Sequence, residues 1–193
     1  MKTLHLVFHP NIETSRVNKA WAAKAKAAGL HVRDMYQLYP DFKIDIAEEQ
    51  KFLVNYDRIV MQFPFYWYNC PPLMKKWLDD VLTFGFAYGP DNGLKLKDKE
   101  LLLCVSVGGA QAAYMPGAYN GFSVTELLRP FQQTAFLCRM KYLSPFWLHG
   151  SVRANDDEIA AAGDRMVAHI QDPSLSDVWN LQTRIFRELG VIK

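Results

Sequence analysis

The chain has 193 residues, half of them hydrophobic, which suffices for one compact domain with a sizeable core. Its 22 basic and 20 acidic residues leave a net charge of +2, without the basic excess that nucleic-acid binding requires. Three scattered cysteines (Cys70, Cys104, Cys138) and five histidines show no metal-ligand spacing and no even disulfide framework, and no apolar run reaches the length of a membrane span; a soluble cytoplasmic domain is expected.

The first element is Thr3–Phe8, an apolar run without alternation, as expected of a parallel strand covered on both faces. Ser15–Ala28 follows as a helix, with Val17, Trp21, Ala25 and Ala28 at helical spacing and Gly29 at its end. Leu30–Met35 reads as a second strand, Ala47–Val54 as a short helix and Asp57–Phe63 as a third strand. Pro71 and Pro72 open a helix whose apolar face is Leu73, Met74, Trp77, Leu78, Val81 and Leu82. Glu100–Val107 is the most apolar segment and the expected central strand. Ser123 and Glu126 form a capping box ahead of a helix that Pro130 is expected to kink. A fifth strand is predicted over Lys141–Leu148, interrupted by Pro145. Asn155 and Glu158 cap a further helix through Ile170, and residues 175–189 suggest one additional helix. Strands alternating with helices argue for an α/β domain over residues 1–193. Its expected core is a flavodoxin-like open five-stranded parallel sheet with helices on both faces.

In such a sheet ligands bind beyond the carboxyl ends of the strands, where the strand order reverses. Three loops therefore matter. The first, His9–Asn18, runs into a helix N-terminus and carries Ser15, Arg16 and Asn18, donors suited to a phosphate; Thr14 or Ser15 equally suits a simple helix cap. Neither a dinucleotide-binding glycine turn nor a P-loop is present. The second, Phe63–Pro72 (FPFYWYNCPP), packs aromatics between prolines, which predicts a rigid loop without regular hydrogen bonding that offers planar surface to a flat ring. The third, Ser106–Tyr119, holds Gly108 and Gly109, where backbone can approach a ligand, with Tyr114 and Tyr119 nearby. Together they suggest one elongated pocket for a mononucleotide with a planar ring.

Residues 63–89, FPFYWYNCPPLMKKWLDDVLTFGFAYG, resemble the signature of the flavodoxin-like NAD(P)H:quinone oxidoreductases, and the likeness extends from His9 to about Gly150. Tyr36–Gln50 and Cys138–Pro145 are similar to short bacterial members that serve as ancillary subunits of glutathione-gated potassium efflux antiporters. The resemblance implies a flavin, and the short chain implies FMN rather than FAD. By position, His9, Ser15, Arg16, Val17 and Asn18 would hold the phosphate and ribityl chain. Pro64, Phe65, Tyr66 and Trp67 would line the ring, mainly through backbone contacts, and Ser106, Val107, Gly108 and Gly109 would close its pyrimidine side. Tyr114 matches a tyrosine near the flavin in larger relatives. Tyr119 lies where some relatives carry a proton-transferring histidine, and Val107 replaces a common threonine. The implied reaction is ping-pong: NAD(P)H gives a hydride to the flavin and leaves, and a quinone then takes its place. Gly108, Gly109, Tyr114 and Tyr119 are the candidates to assist it. A homodimer with Trp67, Phe84 and Phe86 near its interface is implied. So is a potassium efflux antiporter as a possible partner at the cytoplasmic face of the inner membrane.

Overall fold

The structure, a computed structural model, describes residues 1–90, 93–175 and 177–178. The chain alternates strand and helix. β1 (Thr3–Val7), α1 (Arg16–Ala27), β2 (His31–Asp34), α2 (Met35–Leu38), α3 (Ile46–Val54) and β3 (Arg58–Pro64) form the first half. α4 (Pro72–Val81), β4 (Glu100–Ser106), α5 (Val124–Leu127), α6 (Arg129–Leu137), β5 (Lys141–Tyr142), β6 (Phe146–Leu148) and α7 (Asp156–Gln171) follow. The sheet order is β2-β1-β3-β4-β5, all parallel, with β6 also paired to β4, so the order reverses between β1 and β3.

The faces of the sheet follow from the two-residue period of its strands. Leu4, Leu6, Ile59, Met61, Phe63, Leu101, Leu103 and Val105 point to one face and pack with Leu53, Leu73, Trp77 and Phe131 from α3, α4 and α6. Val60, Leu102 and Cys104 point to the other, under Val17, Trp21 and Ala25 of α1 and Ile159, Met166 and Ile170 of α7. The side chain of Ser15 caps α1, and α7 opens on the Asn155–Glu158 capping box. On α4 the exposed pairs Lys75–Asp79 and Lys76–Asp80 stand one turn apart.

Three of the differences from the sequence reading go beyond small shifts at strand and helix ends or have a local physical reason. Pro130 breaks its helix into α5 and α6 instead of kinking it, because proline occupies the first turn of α6, where no N–H is needed. The fifth strand is two short pieces on either side of Leu143–Pro145. Met35 leaves the second strand for a short helix that Asp34 caps by accepting from the N–H groups of Tyr36 and Gln37. The helix expected over 175–189 falls almost entirely outside the described residues. Among the described residues no helix is long and apolar enough to cross a membrane.

Among the described residues two charged side chains are fully buried, Arg58, which pairs with Glu100, and Glu49. Glu49 of α3 is fully buried and accepts from Arg33, from the Tyr39 hydroxyl at 2.7 Å and from Trp77 Nε1 at 2.9 Å. The Arg33 guanidinium also lies 3.9 Å over the Phe52 ring. The network ties β2, α3 and α4 together on the face opposite α1.

Candidate functional site

A cavity of ≈ 410 Å³, within the usual range for a small-molecule site, opens at the carboxyl ends of β1, β3 and β4. The first loop, the aromatic loop and the glycine loop all line it, joined by Ser151 and Val152 from the turn after β6. A larger cavity of ≈ 640 Å³ lies at the amino ends of β1 and β2, away from the strand-order reversal.

In the first loop the chain makes one 3₁₀ turn over Ile12–Thr14 and enters α1 through Ser15, whose Oγ accepts the Asn18 N–H at 3.1 Å. Ser15 is thus the cap and also lines the cavity. The first N–H groups of α1, at Arg16 and Val17, have no carbonyl within their own helix to receive them and make a donor set for an anion. The Arg16 guanidinium turns aside, donating to the Ala154 carbonyl at 3.0 Å and to Asp156 at 2.5 Å, and so ties the loop after β6 to α1. His9 Nδ1 accepts from the Asn11 N–H at 3.1 Å, and partial burial holds this imidazole below its ordinary pKa.

The aromatic loop is hydrogen-bonded, contrary to the expectation from its prolines. β3 runs through Pro64, and the Phe65 N–H donates to the Ser106 carbonyl at 2.9 Å. Tyr66 and Asn69 then exchange reciprocal backbone bonds of 3.1 and 3.0 Å around Trp67 and Tyr68, whose φ angles are +48° and +61°. This is the geometry of a type I′ turn, built from two bulky residues in the left-handed region that normally favours glycine or asparagine. The strain, about 1–3 kcal/mol for each such residue, has a geometric result. The Trp67 ring is 92% exposed and lies outside the cavity, while Phe65 and Tyr66 stay on its wall.

In the glycine loop, Val107 N–H donates to the Leu148 carbonyl at 2.8 Å, and its side chain is buried away from the cavity. Gly108 lines the cavity; Gly109 sits behind it, where a Cβ would lie 3.0 Å from the Tyr114 ring. Tyr114 faces Phe65 at 6.1 Å between ring centres and His149 at 5.6 Å. Tyr119 is 94% exposed, apart from this cluster, while the Tyr68 hydroxyl donates to Asn120 Oδ1 at 3.1 Å and joins the second loop to the third.

The sequence reading missed four contributors. Ser151 and Val152 come from the turn after β6, which the hydrogen bonds Gly150 N–H to Gly109 O (2.9 Å) and Ser151 N–H to Val107 O (3.0 Å) hold at the cavity. His149 stands beside Tyr114, with burial holding its pKa down and its Nδ1 unpartnered. The last is a buried polar pair beneath the floor, His5 and Gln62, which a strand pattern does not announce.

Full burial holds His5 down to a pKa of about 4, although its hydrogen bond to Gln62 opposes the shift. Below the ordinary value of 6.5 the unfolded chain binds a proton that the folded chain refuses. Stability is therefore expected to fall as pH drops from about 6.5 to about 4, by about 3 kcal/mol from this residue. Urea unfolding across that window, compared with His5→Leu, checks this; equal acid slopes in both proteins would refute it.

The cavity suits a flavin mononucleotide chemically: helix N–H donors and serine hydroxyls at one end, aromatic side chains on a wall, and a glycine where a side chain would take up the floor. The profile of a family described as Flavodoxin-like fold matches residues 1–170. The Bacillus subtilis protein named "Uncharacterized NAD(P)H oxidoreductase YdeQ" is 47% identical over 94% of this chain and 92% of its own. The glutathione-regulated potassium-efflux system ancillary protein KefF of Klebsiella aerogenes is 41% identical over 81% of this chain and 88% of its own. The crystal structure of general stress protein 14 from Treponema denticola, in complex with FMN, superposes with a TM-score of 0.84. It is 42% identical, covering 88% of this chain and 98% of that one.

Proposed function

The chain belongs to this flavodoxin-like family, and from that membership we propose that it is an FMN-dependent NAD(P)H oxidoreductase that passes two electrons to a quinone. The observation that carries the reading is the cavity at the strand-order reversal, where helix N–H donors, hydroxyls and an aromatic wall converge. Bound FMN would supply the hydride-accepting and hydride-donating chemistry. The residues do the rest. The N–H groups of Arg16 and Val17 with the Ser15 hydroxyl would hold the phosphate, and Arg16, bonded to Ala154 and Asp156, braces the loop beside it. Phe65 and Tyr66 orient the ring, and Gly108 lets the backbone come close to it. Tyr114 offers a hydroxyl whose burial raises its pKa, so it stays protonated and able to donate at neutral pH. His149 beside it is held neutral by burial and is better placed than exposed Tyr119 to exchange a proton with that hydroxyl.

NAD(P)H and quinone would use one face of the site in turn, giving ping-pong kinetics. Exposed Trp67 and Phe84, 92% and 69% accessible, support a second copy of the chain completing that face. The similarity to KefF supports a second reading in which the protein also serves an efflux antiporter as an ancillary subunit. Co-purification with an antiporter encoded beside it would favour that role.

The test is steady-state NAD(P)H oxidation with a quinone panel, with and without added FMN. Yellow protein, quinone-dependent oxidation and parallel double-reciprocal plots are expected. Colourless protein that neither takes up FMN nor oxidises NAD(P)H would refute the reading.

A further inference from the structure

The geometry points to Gln62 as a positioning residue of the cavity: it locks Asn18 so that the Ser106 hydroxyl presents its hydrogen to an acceptor oxygen of the bound ligand. This rests on the FMN reading for the identity of that ligand.

The chain of contacts has a direction, and one backbone atom determines it. Gln62, near the end of β3, is fully buried on the α1 face. One of its amide atoms lies 2.9 Å from the backbone carbonyl of Asn18. A carbonyl only accepts, so that atom is the Gln62 nitrogen, which also reaches Asn18 Oδ1 at 3.2 Å. The other Gln62 atom is therefore the oxygen, 2.9 Å from His5 Nε2, and His5 must carry its proton on Nε2. Burial keeps His5 from taking a second proton at neutral pH.

The same logic runs outward. With Asn18 Oδ1 turned to Gln62, the Asn18 amide nitrogen faces the cavity floor. It donates to Ser106 Oγ at 2.9 Å and reaches Ser15 Oγ at 3.4 Å. Ser15 Oγ accepts the Asn18 N–H as well. Both hydroxyls line the cavity with a lone pair engaged from behind, which leaves the Ser106 hydrogen, and one further lone pair, free for a ligand. His5, Gln62, Asn18 and Ser106 thus form four links with every donor pointing towards the ligand. His5, Asn18 and Gln62 are at most 2% exposed, so water cannot readily replace any of them. A ligand that places a phosphate, carbonyl or hydroxyl oxygen against Ser106 would receive that hydrogen.

Three measurements test this: FMN titration of wild type, Gln62→Met and Gln62→Glu from pH 6 to 9, melting curves of each at every pH, and the nitrogen NMR signals of His5. Wild-type His5 is expected as the Nε2–H tautomer. Gln62→Met cannot hold Asn18 and is expected to weaken FMN binding about tenfold at every pH. Glutamate, when protonated, reproduces the donor and acceptor of the amide, and burial raises its pKa. Gln62→Glu is therefore expected near wild-type affinity at pH 6 and progressively weaker as it ionises, a profile that loss of packing alone would not produce. Gln62→Met at wild-type affinity, a flat profile for Gln62→Glu, or an Nδ1–H tautomer of His5 would overturn the positioning role. Wild-type protein that takes up no FMN would sink the flavin reading and this role with it.

Discussion

Gly108→Val is expected to weaken FMN binding about ten- to a hundredfold while the apoprotein melts within a few degrees of wild type. Gly108 lines the cavity between Ser106 and Val152, and a Cβ there would stand 3.3 Å from Val152 Cγ2. That neighbour must give way, and the γ-methyl groups of valine then occupy ligand space; overpacking of this kind costs about 1–3 kcal/mol. Gly108 does not hold a positive φ, so the damage is spatial and not a backbone strain that would unfold the chain. Gly109→Val acts differently, because its Cβ meets the Tyr114 ring at 3.0 Å and displaces the wall. Flavin fluorescence titration separates the two. Wild-type affinity in Gly108→Val would mean that the cavity is not the flavin site.

Glu49→Leu is expected to destabilise the protein by about 3–5 kcal/mol, the range for breaking a buried ion pair on one side. The loss leaves Arg33 nearly buried with its nearest remaining carboxylate, Glu48, at 3.8 Å, and deprives Tyr39 and Trp77 of their shared acceptor. Leucine refills the volume but none of the hydrogen bonds. Glu49→Gln keeps an acceptor and is expected to lose less. Urea unfolding measures both, and a Glu49→Leu loss under about 1 kcal/mol would contradict the network's role. The network lies on the opposite face of the sheet from α1, so FMN affinity of folded Glu49→Leu should change little.

Much of this architecture is legible in the residues because burial on both faces leaves a strong local mark. Glu100–Ser106 is almost wholly apolar, and Val17, Trp21 and Ala25 recur at helical spacing because one side of α1 meets the sheet. Capping at Ser15, Ser123 and Asn155 is equally local, since each side chain reaches a backbone N–H three residues away. Where a proline falls relative to a helix's first turn is less local. Pro130 ends one helix and begins another because Leu128 takes the cap position between them.

The site divides in the same way. Its three loops were readable, because each follows a strand and carries a composition unsuited to a core. Their interiors were not. Trp67 was expected along the ring mainly through its backbone; the turn Tyr66–Asn69 turns its side chain to solvent, a choice made by reciprocal backbone bonds and not by side-chain type. Ser151 and His149 come from after β6 and reach the site only once β6 pairs with β4. Gln62 reads as one more residue of a buried strand. Its role depends on His5 lying across β1 and Asn18 lying above it on α1, 57 and 44 residues away in sequence.

By itself, then, the sequence determined the α/β fold and singled out the three loops that line the cavity, because periodicity, caps and loop composition act within a few residues. Only the tertiary structure decided which side chains reach the cavity and which way their hydrogens point. Those depend on partners from distant segments, and a hydrogen bond has a direction only when both of its ends are in place.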